Sequence, residues 1–358
     1  MMAEASAMHA TERLARARRN AIILLAALFV AVALLSLSVG PAAFAPHEAL
    51  AVLARRLGFD LAVDERREAV LLAIRLPRVL LGAMVGAGLA VAGAVMQGIF
   101  RNPLADPGLV GVSSGAALGA VAAIVVGGEM NFAARPTSAL FFIPCAAFAG
   151  GLITTAFVLR FARAGARTDA ATMLLAGIAI NALSGSAIGF LTYIATDVQL
   201  RDIAFWSLGG LSGATWTTLL AVAPFVLTAL LLLPRVAGGL NALLLGEAEA
   251  GHLGIDVESV KRRAVILVAL SVGASVAFTG AIGFIGLVTP HLLRLIIGPD
   301  HRWLLPGAAL LGACLLLAAD AAARTLVAPA ELPVGVVTAL IGAPFFLWLL
   351  ARNRRRAV

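Results

Sequence analysis

Long apolar runs alternate with short polar segments along almost the whole chain. An α-helix needs about 20 mostly apolar residues to cross the hydrocarbon core of a bilayer, and the runs end at glycine, proline or charged residues. The pattern predicts ten membrane-spanning helices, near residues 21–39, 78–99, 109–126, 139–159, 170–192, 215–233, 264–280, 282–297, 304–322 and 334–350. We therefore predict an all-α, polytopic membrane protein with both chain ends on one side of the bilayer.

The composition supports this class of fold. Hydrophobic residues make up 61% of the 358 residues and charged residues only 13%, whereas a soluble domain has about 45–50% apolar and 25% charged residues. Glycine and alanine recur every four residues in the second span, from Gly82 to Gly98, and such stripes let helix backbones approach closely in lipid. We expect one transmembrane domain, residues 21–352, between a basic segment, residues 1–20, and a basic tail, residues 353–358.

The basic residues predict the orientation of the chain. With both ends in the cytoplasm, about two thirds of the 27 lysine and arginine residues face the cytoplasm, as the positive-inside rule requires. The net charge of +8 is therefore an orientation signal, and it does not indicate nucleic-acid binding.

Few residues could supply energy or catalysis. Ion-coupled transporters carry ionisable residues near the middle of their spans, but here Asp320 and Arg324 lie near a helix end and the predicted core is almost free of charge. The only lysine, Lys261, is not in a phosphate-binding loop, so the chain has no nucleotide site of that kind. The serine motifs "GVSSG" and "GLSG" match catalytic patterns, but no span supplies the base that a serine nucleophile needs. No metal site is predicted. An ion-gradient-coupled secondary transporter stays open as an alternative to a transporter driven by a separate ATPase.

One long segment, residues 240–263, has the polarity of a soluble protein. It lies between the sixth and seventh spans, on the predicted cytoplasmic side, and its centre, Gly246–Gly254, is compatible with a short helix flanked by glycines. This centre presents Ala248, Ala250 and Leu253 beside Glu247 and Glu249. The segment is either a solvated loop or a helix that docks on a partner protein.

Several ordered stretches carry a family likeness. They are "RLPRVLLGAMVGAGLAVAGAVMQGIFRNPLADPGLVGVSSGAALG", "GEAEAGHLGI", "GAIGFIGLVTPHLLR", "DHRWLLPG" and "ELPVGVVTALIGAPFFLWLL". Over residues 20–352 the chain resembles the membrane permeases of the ATP-driven importers for iron-siderophores, haem and vitamin B12. The resemblance implies a vitamin B12 importer-like permease fold with ten spans per subunit, in the bacterial inner membrane. It also implies a homodimer with the pathway along its axis, two cytoplasmic ATPase subunits that bind ATP and Mg²⁺, and a periplasmic binding protein. No cofactor is expected in this chain.

The resemblance also assigns roles to individual residues. A coupling helix that sits in a cleft of the ATPase would contain Gly246, Glu247, Ala248, Ala250, Leu253 and Gly254. Outer-face arginines that pair with the binding protein would be Arg75, Arg78 and Arg324. The inner gate would be formed by Asn102, Leu104, Ala171 and Thr172, although "TDAATM" around the last two departs from the hydroxyl-rich pattern of the vitamin B12 member. His291 and Arg294 are expected to be structural.

The fifth span is expected to line the transport pathway. Its polar residues are Asn181, Ser184, Ser186, Thr192 and Tyr193, which suit a large, partly apolar passenger that moves past weak contacts. The stretches "RNPLADPGLVGVSSGAALGA" and "FWSLGGLSGATW" are most similar to haem permeases. Haem is therefore the favoured passenger, with a ferric siderophore or cobalamin as alternatives.

Overall fold

A computed structural model describes residues 2–40, 44–59, 61, 63–129, 136–164 and 167–354 of the chain. In chain order the described helices are α1 (Met2–Ser38), α2 (Pro46–Arg56), α3 (Glu65–Val70), α4 (Leu76–Ile99), α5 (Val112–Glu129), α6 (Pro136–Phe161), α7 (Ala170–Ile194), α8 (Asp197–Leu208), α9 (Trp216–Leu232), α10 (Ala237–Leu243), α11 (Glu247–His252), α12 (Val257–Thr279), α13 (Ile285–Ile297), α14 (His301–Ala323) and α15 (Val334–Arg354). A π-helical turn, Leu71–Arg75, joins α3 to α4, and two-residue strands β1 (Arg163–Ala164) and β2 (Arg167–Thr168) form an antiparallel pair.

Each of the ten predicted apolar runs overlaps one helix, namely α1, α4, α5, α6, α7, α9, α12, α13, α14 and α15. Seven of these stretches are long and apolar enough to cross a membrane, and α5, α13 and α15 contain shorter apolar helices. The all-α, polytopic fold class is therefore confirmed. Residues 355–358 of the predicted basic tail lie outside the described residues.

Helix α4 is the centre of the bundle. In the most apolar 18-residue stretch of this helix, 83% of the residues are buried within the chain. In the corresponding stretch of α7, only 11% are buried. A helix that is apolar all round is surrounded by other helices or by lipid, and α4 contacts α9, α12, α13 and α14. The chain therefore packs around α4 and leaves α7 at its edge.

The small-residue stripe of α4 forms close helix contacts, as the sequence predicted. Gly86 faces the backbone of Gly312 in α14, Gly93 faces the backbone of Gly286 in α13, and Gly98 faces the His301 ring. A side chain at Gly86 or Gly93 would overlap the carbonyl oxygen opposite. Helix association here depends on the absence of side chains, because lipid provides no hydrophobic drive for it.

Replacement of Gly86 by Ala is expected to lower the free energy of unfolding by about 1–3 kcal/mol, because the new methyl group must push α14 away from α4. The measurement is the midpoint of thermal unfolding in detergent. Gly185→Ala is the matched control, since a methyl group there meets no atom within 4 Å. Equal midpoints for the two variants would show that the α4–α14 contact tolerates separation.

The two ends of the bundle have different chemistry. Helix α14 begins beside α10, where Asn241 Nδ2 donates to Asp300 Oδ1 at 2.6 Å, and it ends where Asp320 pairs with Arg78 of α4. We call these the α11 end and the Arg78 end. The predicted coupling and gate residues lie at the first end and the predicted docking arginines at the second.

Candidate functional site

The segment predicted to dock on a partner folds as the helix α11. It is bounded by Gly246, with φ of +130°, and Gly254, with φ of +78°, and only glycine adopts such backbone angles without strain. The residues that α11 and its C-terminal turn expose are Ala248, Glu249, Gly251, His252, Leu253 and Gly254. Half of these residues are glycine or alanine, so another protein can approach the backbone closely at those positions.

Ala250 does not belong to that face. Its side chain is fully buried within the chain, while Ala248 is exposed. Residues two apart on a helix point in different directions. The prediction that both alanines face a partner is therefore wrong for Ala250. Ala250 anchors α11 to its own bundle, and Ala248 is the alanine available to a partner.

A buried lysine ties α11 to the segment before α7. Lys261 of α12 is 1% exposed, and its Nζ donates to Glu247 Oε1 at 2.6 Å and to the Thr168 carbonyl oxygen at 2.9 Å. Glu258 holds the same segment, because its carboxylate accepts from the Thr168 amide at 2.7 Å and from the Thr168 hydroxyl at 2.6 Å. A buried ammonium group needs such partners to offset its loss of hydration.

Asp169 caps the N-terminus of α7. Its Oδ2 accepts from the Thr172 hydroxyl at 2.6 Å and from the Thr172 amide at 2.7 Å. The Thr172 hydroxyl contributes most to a lowered pKa of the Asp169 carboxyl, and the Thr172 amide and the Lys261 ammonium group lower it further. Thr172, a predicted gate residue, therefore uses its hydroxyl to hold the start of α7.

The two halves of the predicted gate border one cavity. It has a volume of about 330 Å³ and is lined by Asn102 and Ala171, from the two predicted gate positions, and also by Glu247 of α11. Leu104 and Thr172 are not among its lining residues. Leu104 is 47% exposed, and its amide donates to Asn102 Oδ1 at 2.9 Å. The predicted gate and the predicted coupling helix thus meet at the same place.

The predicted pathway residues of α7 lie on different faces of the helix. The Asn181 amide accepts from Ser114 Oγ at 2.5 Å and donates to the Gly108 carbonyl at 3.2 Å, so it joins α7 to its neighbours. Ser184 is 3% exposed, whereas Tyr193 is 87% exposed. The structure therefore does not bring these three residues together.

Most of the α7 surface is open. Its buried residues are Met173, Gly177 and Ser184. Its large exposed apolar residues are Leu175, Ile178, Leu183, Phe190, Tyr193 and Ile194. This surface requires lipid or another protein against it, because such a patch is too large for contact with water.

Two of the predicted docking arginines are buried. Arg75 is 6% exposed and Arg324 is 5% exposed, and both donate to carbonyl oxygens at the end of α1, in residues 36–39, at distances of 2.6 to 3.0 Å. The Arg75 guanidinium also lies 4.3 Å from the centre of the Phe44 ring. In this chain both side chains hold α1 against the bundle.

Arg78 is the docking candidate nearest to solvent. Its Nε and Nη2 donate to Asp320 Oδ1 at 3.0 and 2.9 Å, and its Nη1 and Nη2 donate to the two Glu331 oxygens at 3.1 and 3.0 Å. Asp320, which is fully buried, also pairs with Arg324 at 3.0 Å. The Arg78 side chain is 11% exposed and Glu331 is 34% exposed, so an outside carboxylate can reach this pair. Docking at Arg78 stays a prediction.

His291 and Arg294 take part in packing at the α11 end of α13. The Arg294 guanidinium donates to Gln97 Oε1, and the His291 ring lies 6.3 Å from the ring of Phe345 in α15. These contacts fit the structural role expected for the two residues.

Sequence reasoning missed the residues that connect the sites. No sequence pattern predicts a role for Thr168, Glu258 or Glu331, and Lys261 stands out in the sequence only as the single lysine of the chain. A lone lysine among 27 basic residues was a usable signal. The partners of Lys261 were not predictable, because they lie 14 and 93 residues away in sequence.

Comparison with known proteins identifies close relatives of the chain. It is 55% identical over 283 residues to the hemin transport system permease protein HmuU of Yersinia pestis, covering 79% of this chain and 83% of that protein. It is 45% identical to a cobalamin import system permease protein of Halobacterium salinarum, over 83% of this chain and 77% of that protein. A vitamin B12 import system permease protein of Escherichia coli is 46% identical, over 79% and 83% of the two chains.

A solved structure has the same fold over almost its full length. It is described as an inward-facing conformation of a metal-chelate type ABC transporter, with a TM-score of 0.80 and 33% identity, and it covers 92% of this chain and 98% of that one. The description of the FecCD transport family matches residues 28–352. The chain therefore belongs to the FecCD transport family and is a multi-pass membrane permease.

Proposed function

We propose that this chain is the permease subunit of an ATP-driven importer that moves haem across the bacterial inner membrane. The observation that carries the proposal is the 55% identity to a protein named as a hemin transport permease. Cobalamin is the second candidate, since relatives named as cobalamin or vitamin B12 permeases are 45–46% identical. A ferric siderophore is a third, in keeping with the metal-chelate description of the structural relative.

The exposed surface of α7 suits a transported ligand that binds weakly as it moves through the permease. A tight haem site requires an axial ligand such as His or Tyr. Helix α7 has one such residue, the exposed Tyr193, and its other large exposed side chains are apolar. Such a surface provides weak contacts along its length. In the proposed assembly two copies of the chain form a homodimer, and α7 lines the pathway between them.

The exposed face of α11 supports a separate ATPase as the source of energy. In the proposed complex two ATPase subunits dock at the α11 end, on the cytoplasmic side, and bind ATP and Mg²⁺. A periplasmic binding protein docks at the Arg78 end. Both chain termini are then cytoplasmic, as the distribution of basic residues indicates.

The proposal is tested by uptake into liposomes that contain the chain with its co-purified ATPase. We expect uptake of haem from a loaded binding protein, dependent on ATP, with less uptake of a ferric siderophore or cobalamin. The chain without ATPase should show no uptake under a proton or sodium gradient. Gradient-driven uptake by the chain alone would instead establish a secondary transporter. Preferential uptake of cobalamin would show that cobalamin, and not haem, is the transported ligand.

Replacement of Arg78 by Gln is expected to weaken docking of the binding protein by about 1.5–3 kcal/mol, the usual loss for a hydrogen bond to a charged group. The loss should be larger at low than at high ionic strength, because salt screens exposed charges. Affinity is measured by surface plasmon resonance at both salt concentrations. Arg56→Gln is the control, since that arginine is 63% exposed and pairs with Glu68. Equal affinities for Arg78→Gln and the unchanged chain would limit Arg78 to a structural role.

A further inference from the structure

Lys261 is the point at which α11, α12 and the segment before α7 meet. Its ammonium group binds a carboxylate of α11 on one side and the carbonyl oxygen of Thr168 on the other. We propose that Lys261 is a positioning residue that transmits movement of α11 to the start of α7, and so links ATPase docking to the gate. This inference rests on the proposed function of the chain as an ATP-driven permease.

The cavities around Glu247 show why a single contact matters here. One cavity, of about 780 Å³, is bordered by Ala248 and His252 of α11 and also by Lys261. The other is the gate cavity of about 330 Å³, bordered by Asn102 and Ala171. Glu247 lines both. Because Glu247 borders open space in two cavities, its side chain is held by the ion pair with Lys261 rather than by close packing.

The connection from Lys261 to α7 is short and stiff. Thr168 is 5% exposed and is held by Glu258 through both its amide and its hydroxyl. It also belongs to the β1–β2 pair, in which it is the partner of Arg163. The next residue, Asp169, caps α7 through Thr172. A displacement of the Thr168 carbonyl therefore reaches the first turn of α7 within two residues.

The charge of Lys261 favours transmission over a purely local role. Among the described residues, Glu247 is the carboxylate within ion-pair distance of its Nζ. A buried ammonium group that loses its carboxylate is strongly destabilised, so α11 cannot move away from Lys261 without taking Lys261 or Thr168 with it. Ala250, the other anchor of α11, is buried, but an apolar contact is not directional.

The experiment uses the full permease with its co-purified ATPase in nanodiscs and liposomes, with haem on the binding protein as the probe. The variants are Lys261→Met, which keeps the unbranched chain up to the ε position and removes the ammonium group, and Glu247→Ala, which removes the carboxylate. Arg262→Met is the matched control, because it removes one positive charge from an exposed neighbour on the same helix. Lys261→Arg tests rescue, since arginine can donate to both partners.

We expect Lys261→Met to retain ATPase binding and ATP hydrolysis, while the haem transported per ATP falls about tenfold, within the usual range of coupling between sites. Glu247→Ala should lower the haem transported per ATP to a similar degree, and its ATPase binding is measured separately because Glu247 belongs to α11. The double variant should lose no more transport per ATP than either single one, because the two residues act through one contact. Arg262→Met should resemble the unchanged chain, and Lys261→Arg should restore most of the transport.

A second readout requires no transported ligand. Nitroxide labels attached to Leu175→Cys in both subunits, in a background of Cys145→Ser, report the distance between the two α7 helices with and without ATP. We expect ATP to change this distance in the unchanged complex and not in Lys261→Met. Loss of transport and hydrolysis in equal proportion, or a normal distance change in Lys261→Met, would overturn the role of Lys261. If Lys261→Met does not fold, Glu247→Ala decides the question. Absence of haem, siderophore and cobalamin uptake by the unchanged complex would refute the proposed function, while the label distances still test the link.

Discussion

Replacement of Asp320 by Asn is expected to lower the free energy of unfolding by about 3–5 kcal/mol, the usual cost of breaking a buried ion pair. Asp320 is fully buried and pairs with both Arg78 and Arg324. Its loss of charge leaves two guanidinium groups close together, and Glu331 is the carboxylate that still pairs with Arg78 among the described residues. Since proteins are stable by about 5–15 kcal/mol, much of the variant should be unfolded or lost on extraction. The measurement is thermal unfolding in detergent, together with the yield of monodisperse protein.

Glu331→Gln is the matched control for this prediction. It removes a carboxylate from the same cluster, but Glu331 is 34% exposed, and an exposed ion pair contributes only about 0–1 kcal/mol. The buried position of Asp320 should therefore separate the two variants. Equal losses for both would show that the cluster is stabilised by its total charge, without regard to burial.

Replacement of Ala248 by Trp is expected to abolish recovery of the ATPase in a pull-down, with a fall of at least about tenfold, equal to 1.4 kcal/mol. Ala248 is exposed on α11, so the indole ring projects from the surface on which we propose that the ATPase lies. The fold of the permease should be unchanged. ATP hydrolysis linked to transport should fall with the recovery of the ATPase.

Two further tryptophan variants separate docking from folding. Ala250→Trp places the same bulk at a buried position, where overfilling costs about 1–3 kcal/mol, and it should lower the unfolding midpoint, which Ala248→Trp should not. Ala204→Trp adds bulk to an exposed position of α8 and should leave ATPase recovery unchanged. Full recovery of the ATPase by Ala248→Trp would indicate that α11 faces solvent.

The spans were predictable because a bilayer imposes a minimum length on every apolar helix. The run near residues 170–192 corresponds to α7, Ala170–Ile194, and the run near residues 334–350 corresponds to α15, Val334–Arg354. The start of the first helix was less predictable. Residues 12–20 carry five charges and still continue α1, because a helix can extend beyond the apolar part of its sequence.

The roles of single side chains were harder to predict, since they depend on partners far away in sequence. Arg78 meets Asp320, which lies 242 residues further along the chain, and Arg324 meets Ser36 at a separation of 288 residues. The resemblance of this chain to a permease family indicates which end of the bundle an arginine occupies. It does not indicate whether the guanidinium points outward or toward a neighbouring helix, as the burial of Arg75 and Arg324 illustrates.

Because Lys261 is buried, its reactivity toward acylating reagents reports the opening of its contact with Glu247 and Thr168. Amine-selective acylating reagents react with lysine side chains, and residue 261 is the only lysine in the sequence. While its Nζ stays between Glu247 and Thr168, the side chain is shielded from reagents in solution. Acylation at this position, read by peptide mass spectrometry, therefore measures how often the contact opens. It does so in the unmodified protein, without an introduced label.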